Sequence, residues 1–188
     1  MPLPDHPLND HFSLFALPPR FAIDADALER AYKDVQAKVH PDRFVAAPAA
    51  ERRVAMQWAT RVNEAYTALR SPLRRAAYLC ELRGAPIEAE SNTAMPREFM
   101  LQQMQWREAL DEATHPVDVV RIDGLRAELE RHRSMVAAQV AAAIDESNDM
   151  PLAATLVRQW MFIERFADDV ERATHAADDA RSGAMKQA

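Results

Sequence analysis

Apolar residues recur at the three- and four-residue spacing of an α-helix along most of this chain, and prolines separate the helical stretches. The first long stretch runs from Asp24 to Val39. Its apolar face consists of Leu28, Ala31, Tyr32, Val35 and Val39. Asp24 and Asp26 supply a capping oxygen and negative charge, both of which favour a helix N-terminus. Pro41 cannot continue the helix and disfavours helical geometry at His40, so we expect the chain to leave the helix there.

More helical segments follow in the first half of the chain. A short amphipathic segment, His11–Leu17, ends at paired prolines, and a loop from His40 to about Pro48 precedes a long helical pattern that continues to Arg70. The apolar face of this long pattern consists of Val54, Trp58, Val62, Ala65, Tyr66 and Leu69. A short helix over Leu73–Leu82 ends before Gly84. We expect the two long helices to form an antiparallel hairpin, with the first short segment packed across it.

The second half of the chain predicts a separate helical bundle. Three helical patterns cover Pro96–Ala113, about Pro116–Ile144 and Pro151 to about Ala173. With little β-branched alternation and only three glycines, the whole chain is predicted to be all-α. The expected organisation is a first domain over residues 10–83, a linker over 84–94, a three-helix domain over 95–175 and a flexible tail over 176–188.

The helix that begins near Pro96 carries apolar residues on two opposite sides at about 100° per residue. Its core side consists of Phe99, Trp106, Leu110 and Ala113. The opposite side, named here the methionine face, consists of Met100, Leu101, Met104, Gln105, Glu108 and Glu112. A purely solvated side would not need two methionines and a leucine, and methionine packs adaptably against partners.

Phe162 similarly lies off the core side of the last helix. That core side consists of Leu152, Leu156, Trp160, Ile163, Phe166, Ala167 and Val170. By helical geometry alone, packing between the two domains and binding of a partner explain the methionine face and Phe162 equally well.

Charge and composition exclude several classes of function. The net charge is −6; residues 1–70 hold nine basic and nine acidic residues, so the excess acid lies in residues 71–188. Without a basic tract, this balance argues against nucleic-acid binding. No apolar stretch is long enough to cross a bilayer, and residues 1–10 resemble neither a secretory signal nor a transit peptide. The single Cys80 excludes an internal disulfide, so we expect a cytoplasmic protein in which this thiol is buried.

Two sequence blocks resemble a J domain. The first contains Tyr32, Lys33, Val35, Lys38, Val39, His40, Pro41, Asp42, Arg43 and Phe44. The second contains Val62, Asn63, Glu64, Ala65, Tyr66, Leu69, Pro72, Arg75 and Tyr78. The blocks occur in the order and spacing of the second and third helices of that family. Val39 departs from the pattern, since the family usually has tyrosine before the histidine.

The segment after the J-like blocks narrows the resemblance to the HscB co-chaperones of iron–sulfur cluster assembly. There is no glycine/phenylalanine-rich segment or cysteine zinc module of the general DnaJ class. The positions that resemble HscB are Phe99, Met100, Leu101, Met104, Arg107, Glu108, Leu110, Asp111 and Glu112. The resemblance spans about residues 10–170. Some family members carry an N-terminal cysteine motif for metal, which this sequence does not have.

The resemblance implies two partners and two sets of binding residues. A DnaK-like ATPase chaperone of the HscA type would be bound and stimulated through His40, Pro41, Asp42, Lys33, Lys38 and Arg43. A cluster scaffold of the IscU type would be bound through Met100, Leu101, Met104, Gln105, Glu108, Glu112 and Phe162. Gln105 stands where the family often has glutamate. Agreement with the methionine face favours partner binding over packing between domains.

Other interpretations of the same residues are weaker. His40 and Asp42 could form an acid–base pair, but nothing supplies a nucleophile or phosphate loop, so we expect no catalytic residues. His6, His11, His115 and His132 lack metal-ligand spacing, so we expect neither a metal nor a cofactor. The basic residues around His40 could serve solubility alone, although steering toward an acidic partner fits their position better. A J protein for another client and a helical adaptor remain alternatives, and we expect a monomer.

Overall fold

The computed structural model describes residues 10–88, 95–114 and 117–185. Within these ranges the chain forms seven α-helices, one short 3-10 helix and no β-strand, which confirms the all-α prediction. The helices are α1 (His11–Leu14), α2 (Ala25–Val39), α3 (Ala49–Arg70), α4 (Pro72–Leu82), α5 (Arg97–Thr114), α6 (Val119–Asp145) and α7 (Met150–Met185). The 3-10 helix, Pro41–Phe44, lies in the segment expected to be an irregular loop. None of the helices in the described ranges is long and apolar enough to span a membrane.

The chain divides into two compact units. Unit 1 contains the described residues up to Pro86 together with Ala141–Met150. Unit 2 contains Ile87–Val140 and the described residues from Pro151 onward. Ile87, expected in the linker, is buried, and its carbonyl oxygen accepts a 3.3 Å hydrogen bond from Arg158 in unit 2. The remainder of the expected linker, residues 89–94, lies outside the described residues.

The ends of α2 follow the sequence signals. One carboxylate oxygen of Asp24 accepts hydrogen bonds of 2.9 and 3.1 Å from the backbone N–H groups of Asp26 and Ala27, as expected of an N-cap. At the other end, His40 leaves helical geometry with φ −58° and ψ 127°, the conformation favoured before a proline. The predicted end of α2 is therefore confirmed.

In unit 1, α3 packs against α1, α2, α4 and the 3-10 helix. The fully buried positions on α3 are Ala55, Val62, Ala65 and Leu69. Val54, expected on this face, is 39% exposed and was placed wrongly, because the buried face is displaced by one residue near the N-terminal end of α3. The small side chain of Ala55 occupies that buried position. Cys80 is fully buried, as predicted.

Arg75 is a buried residue in the first turn of α4, at the junction of α3 and α4. Its buried guanidinium donates a 2.5 Å hydrogen bond to the carbonyl oxygen of Leu69 and lies 5.1 Å from the centre of the Phe21 ring. The hydrogen bond satisfies a carbonyl group that the end of α3 leaves without a helical partner. Burial lowers the pKa of Arg75 below its usual value.

The end of α6 and the turn after it belong to unit 1. The Asp145 carboxylate accepts hydrogen bonds of 2.7 and 2.8 Å from the backbone N–H groups of Phe21 and Ala22. Arg83 at the end of α4 donates a 3.0 Å hydrogen bond to the carbonyl oxygen of Ile144. These bonds attach the end of α6 to segments more than sixty residues away in sequence.

Unit 2 is organised around aromatic side chains of α5 and α7. Trp106 on α5 is buried, stacks 6.2 Å from Phe166 on α7, and donates a 2.8 Å hydrogen bond from its indole nitrogen to Glu128 on α6. Arg133 on α6 pairs with Glu164 on α7 at 2.7 Å. The predicted core residues Phe99, Trp106, Ala113, Leu156, Trp160, Ile163, Phe166 and Val170 are buried.

Two expectations for the last helix were wrong. Leu152, in the first turn of α7, is 47% exposed rather than buried. The helix also continues to Met185, well past the expected end near Ala173. The sequence beyond Ala173 contains no proline and no glycine before Gly183, so nothing in it stops the helix earlier.

Candidate partner-binding sites

Tyr32 joins the two long helices that carry the predicted loop. Its hydroxyl donates a 3.0 Å hydrogen bond to Oδ1 of Asn63 on α3, and its ring stacks on Tyr66 with centroids 4.0 Å apart. Gln36, one turn further along α2, donates a 3.0 Å hydrogen bond to the same hydroxyl. Both J-like sequence blocks therefore meet in one contact, which holds α2 and α3 on either side of the loop.

The loop displays His40 and Asp42 together. The side chains are 50% and 86% exposed, and Nδ1 of His40 lies 3.6 Å from Oδ2 of Asp42. The backbone N–H of Asp42 donates a 3.3 Å hydrogen bond to Nδ1 of His40. Because Nδ1 accepts this bond, the neutral imidazole carries its hydrogen on Nε2, which can donate to a partner. The structure thus brings His40 and Asp42 together at the surface.

The basic residues near the loop differ in how firmly they are held. Lys33 pairs with Glu29 at 2.7 Å, one turn earlier on α2. The hydrogen bond from Lys33 lowers the pKa of Glu29, and the same bond raises the pKa of Lys33. Arg43 donates a 2.9 Å hydrogen bond to the carbonyl oxygen of Ala37, so its charge is placed at the C-terminal end of α2, where it is electrostatically favourable. Lys38 lies in the last turn of the same helix.

Val45 is an exposed apolar residue that the sequence reasoning missed. It directly follows the 3-10 helix and is 67% exposed. Since it belongs to no helical pattern, periodicity could not identify it. The sequence feature that could have drawn attention to Val45 is its position three residues after Asp42, next to the His40 loop.

All six residues of the methionine face are exposed on α5. Met100, Leu101 and Met104 are 52%, 51% and 66% exposed. Exposed apolar patches on a protein surface often mark sites that bind another protein, and these three side chains lie on one side of α5. Glu108 and Glu112 continue the same side of α5 toward its C-terminus.

Phe162 is half-buried rather than freely exposed. Its ring lies 5.8 Å from Phe99 and 6.0 Å from Phe166, and the Arg107 guanidinium lies 5.7 Å from its centre. At about 100° per residue, Arg107 lies on the same flank of α5 as Met100. The structure therefore brings Phe162 to the flank of α5 that borders the methionine face.

Glu112 has a partner that the sequence reasoning missed. Its carboxylate pairs with Arg121 near the start of α6 at 3.3 Å, and Arg121 also pairs with Asp118 at 3.4 Å. These side chains are largely exposed, so the pairs are weak and screened by salt. The positive charge of Arg121 partly offsets the negative charge of Glu112. This pairing depends on how α5 packs against α6, so the sequence of α5 alone could not predict it.

The described residues do not form a cluster of metal-ligating side chains. Within the described ranges, no group of three or more His, Cys, Asp or Glu side chains could hold a metal ion. His6 and His115, considered as ligands, lie outside these ranges.

An exposed His-Pro-Asp loop on a helical hairpin, combined with a second all-α unit, defines a J-domain co-chaperone. The family model described as "HSCB C-terminal oligomerisation domain" matches residues 95–171. The chain is 53% identical over 165 residues to the "Co-chaperone protein HscB homolog" of Bordetella pertussis, covering 88% of this chain and 96% of that protein. It is 50% identical to the homologue of Burkholderia mallei over 162 residues, covering 86% and 92% of the two chains.

Two solved structures have the same fold. The chaperone HscB from Vibrio cholerae matches with a TM-score of 0.76 and 30% identity, covering 89% of this chain and 99% of that one. Human co-chaperone protein HscB matches with a TM-score of 0.81 and 26% identity, covering 90% and 83%. The chain belongs to the HscB family of co-chaperones.

Proposed function

We propose that this chain is a cytoplasmic co-chaperone of iron–sulfur cluster assembly that delivers a cluster scaffold of the IscU type to a DnaK-like ATPase chaperone of the HscA type. The observation that carries the proposal is the exposed His40–Pro41–Asp42 loop in a member of the HscB family. The two units supply two different surfaces for the two partners.

The ATPase chaperone is proposed to bind around the loop in unit 1. The residues assigned to this contact are His40, Pro41, Asp42, Lys33, Lys38 and Arg43. Nε2 of His40 offers a donor, and the exposed carboxylate of Asp42, whose Oδ2 lies 3.6 Å from Nδ1 of His40, offers an acceptor. The three basic residues would meet an acidic surface, and because they are exposed, this attraction should weaken as salt is added.

Stimulation of ATP hydrolysis needs no catalytic group on this chain. A co-chaperone that binds one conformation of the ATPase better than another shifts the population toward the favoured conformation. The firmly joined α2 and α3 suit this task, since a loop held in one geometry discriminates between two conformations of its partner better than a loose one. The chain is therefore proposed to be a non-enzyme.

The scaffold is proposed to bind unit 2 through the methionine face and Phe162. The apolar centre at Met100, Leu101 and Met104 would be removed from water on binding. Glu108 and Glu112 would lie at the rim and favour a partner with basic residues opposite them. Arg107 against Phe162 limits how deeply that ring can enter the interface, so Phe162 is proposed to contribute one face only.

The decisive experiment measures ATP turnover of an HscA-type chaperone with this chain, with the scaffold, and with both. We expect this chain alone to accelerate turnover and the scaffold to increase the acceleration further. Raising the salt concentration from about 50 mM to about 200 mM should weaken the acceleration, since the Debye length shortens and the attraction between exposed charges is screened more strongly. Unchanged turnover in every mixture would overturn the proposal and favour a helical adaptor. Acceleration without scaffold binding would favour a different client.

Self-association of unit 2 is a second candidate property. The matching family model is described as an oligomerisation domain. On α6, Val120 is 81% exposed and Met135 is 51% exposed, so this helix also presents apolar side chains. A monomer remains our prediction, and light scattering across a concentration series tests it, since a dimer would double the measured mass.

A further inference from the structure

The accessible sulfur atoms of the described residues are thioethers rather than a thiol. Cys80 is fully buried, which shields it from oxidants in solution. Four methionines are more than half exposed: Met56 at 60%, Met100 at 52%, Met104 at 66% and Met135 at 51%. Two of these four lie one turn apart on the methionine face.

We propose that Met100 and Met104 form an oxidation-sensitive site, at which conversion to methionine sulfoxide by a peroxide weakens binding of the scaffold. This inference rests on the proposed function of the methionine face. Each methionine is more than half exposed in the free protein and would be buried against the partner, so oxidant can reach it before binding and its polarity matters after binding.

The reaction is an oxygen-atom transfer from hydrogen peroxide. The lone pair of the methionine sulfur attacks one peroxide oxygen, the O–O bond breaks, and a sulfur–oxygen bond forms. Sulfur is oxidised by two electrons, and the second oxygen leaves as water after proton transfer. Methionine sulfoxide reductases reverse the change with electrons from thiols, one enzyme for each sulfoxide epimer.

Removal from water makes the sulfoxide costly in an interface. A sulfoxide oxygen is a strong hydrogen-bond acceptor, and it loses its water when the face is covered. Glu108 and Glu112 are themselves acceptors when ionised and cannot satisfy it. Gln105 carries a donor but projects from the other flank of α5 relative to Met100 at about 100° per residue. The Arg107 guanidinium, on the flank of Met100, lies over the Phe162 ring.

The fold should tolerate the same oxidation. Met100 and Met104 do not belong to the buried core of unit 2, so adding oxygen to either does not disturb core packing. Exposed positions generally change stability little. Loss of binding without loss of stability would therefore distinguish this site from general oxidative damage.

The test treats only this chain with hydrogen peroxide, removes the oxidant, and then measures binding to an IscU-type scaffold by calorimetry. Peptide mass spectrometry confirms the sulfoxides, and thermal unfolding checks the fold. We expect binding at least about tenfold weaker after treatment, with an unchanged melting temperature. Treatment with both sulfoxide reductases should restore it. Unchanged affinity with both sulfoxides present, or failure of the reductases to restore binding, would overturn the inference.

Leucine variants show which methionines cause the loss of scaffold binding after peroxide treatment. Met100→Leu with Met104→Leu keeps an apolar helix-forming face without sulfur, so its affinity for the scaffold, whatever its value before treatment, should be the same after peroxide. The matched control, Met56→Leu with Met135→Leu, removes equally exposed methionines elsewhere and should remain peroxide-sensitive. Sensitivity that follows Met56 and Met135 instead would contradict the assignment. If the untreated wild-type chain does not bind the scaffold at all, the proposed function of the face fails, which is a separate result.

Discussion

The Tyr32 hydroxyl on α2 donates a 3.0 Å hydrogen bond to Oδ1 of Asn63 on α3. This bond links the two sequence blocks on which the J-domain resemblance depends. The Tyr32 ring also stacks on Tyr66, so the polar and aromatic contacts act at the same level of the hairpin. These contacts therefore join α2 and α3 about two helical turns before His40.

Removing the hydroxyl should loosen this link without changing the shape of the ring. We expect Tyr32→Phe to lower the free energy of unfolding of unit 1 by about 0.5–1.5 kcal/mol, as a partly exposed neutral hydrogen bond contributes. Urea unfolding followed by circular dichroism measures the change. In an Asn63→Ala background the same substitution should cost less, and an equal cost in both backgrounds would show that the pair does not interact.

Asp145 makes a more strongly buried attachment. Its side chain is 9% exposed and accepts two backbone N–H groups, those of Phe21 and Ala22. We expect Asp145→Ala to destabilise unit 1 by about 1.5–3 kcal/mol, because a charged acceptor is lost and the part-buried N–H of Phe21 loses its partner. Urea unfolding with the neighbouring exposed variant Glu146→Ala as control tests this, and equal effects of the two substitutions would contradict it.

The ends of a helix could be predicted where the residues that determine them are adjacent to it in sequence. Asp24 caps α2, and Pro41 ends it, so both ends could be read from adjacent residues. The assignment of the end of α6 to unit 1 could not be read in this way. It depends on Asp145 reaching Phe21, 124 residues earlier, and no local pattern encodes such a distance.

The candidate sites likewise contain some features that could be predicted from one helix alone and others that depend on how the helices pack. Exposure of the methionine face follows from a 100° rotation per residue and was predictable from α5 alone. The pairing of Glu112 with Arg121, and the position of Arg107 over Phe162, depend on how α5 packs against α6 and α7. Sequence periodicity identifies which side of a helix is exposed but not which neighbour modifies it.

His11 should make the stability of unit 1 dependent on pH. Burial is the main cause that lowers its pKa below 6.5; nearby Arg61 lowers it further, while Asp10 and Glu64 act in the opposite direction. The folded state therefore resists protonation, and the unfolded state takes up the proton first as the pH falls. We expect the free energy of unfolding to decrease as the pH drops below 6.5, down to the pKa of the folded state.

The variant His11→Phe keeps a ring to stack against Tyr78, which lies 4.1 Å away, but cannot titrate. Urea unfolding between about pH 7.5 and pH 5 should therefore show a smaller loss of stability in the variant than in the wild type. Parallel pH dependence in both proteins would contradict the assignment to His11.

His40→Gln should separate the two proposed activities. The substitution removes the imidazole, including the acceptor for the Asp42 N–H and the outward Nε2 donor. We expect stimulation of the HscA-type ATPase to be abolished while binding to the scaffold is unchanged. Steady-state ATP turnover and calorimetry measure the two activities. The control His175→Gln, at an exposed position on α7, should retain stimulation, and equal loss in both variants would assign the effect elsewhere.

Variants of the methionine face and Phe162 should affect scaffold binding rather than stimulation of the ATPase. We expect Met104→Ala combined with Phe162→Ala to weaken scaffold binding by more than about 2 kcal/mol, or about thirtyfold, since hot-spot residues at the centre of an interface carry most of the affinity. Stimulation of the ATPase in the absence of scaffold should be unchanged. Because Phe162 also contacts Phe99 and Phe166, part of the effect could come from unit 2 unfolding.

Two controls separate binding from folding in this last experiment. Met104→Ala alone changes a side chain that is 66% exposed and should weaken binding without lowering the melting temperature. Met135→Ala, at a similarly exposed methionine on α6, should leave both quantities unchanged. If the double variant folds and still binds the scaffold with wild-type affinity, the methionine face is not the scaffold-binding surface, and the exposed apolar residues of α6 become the next surface to test.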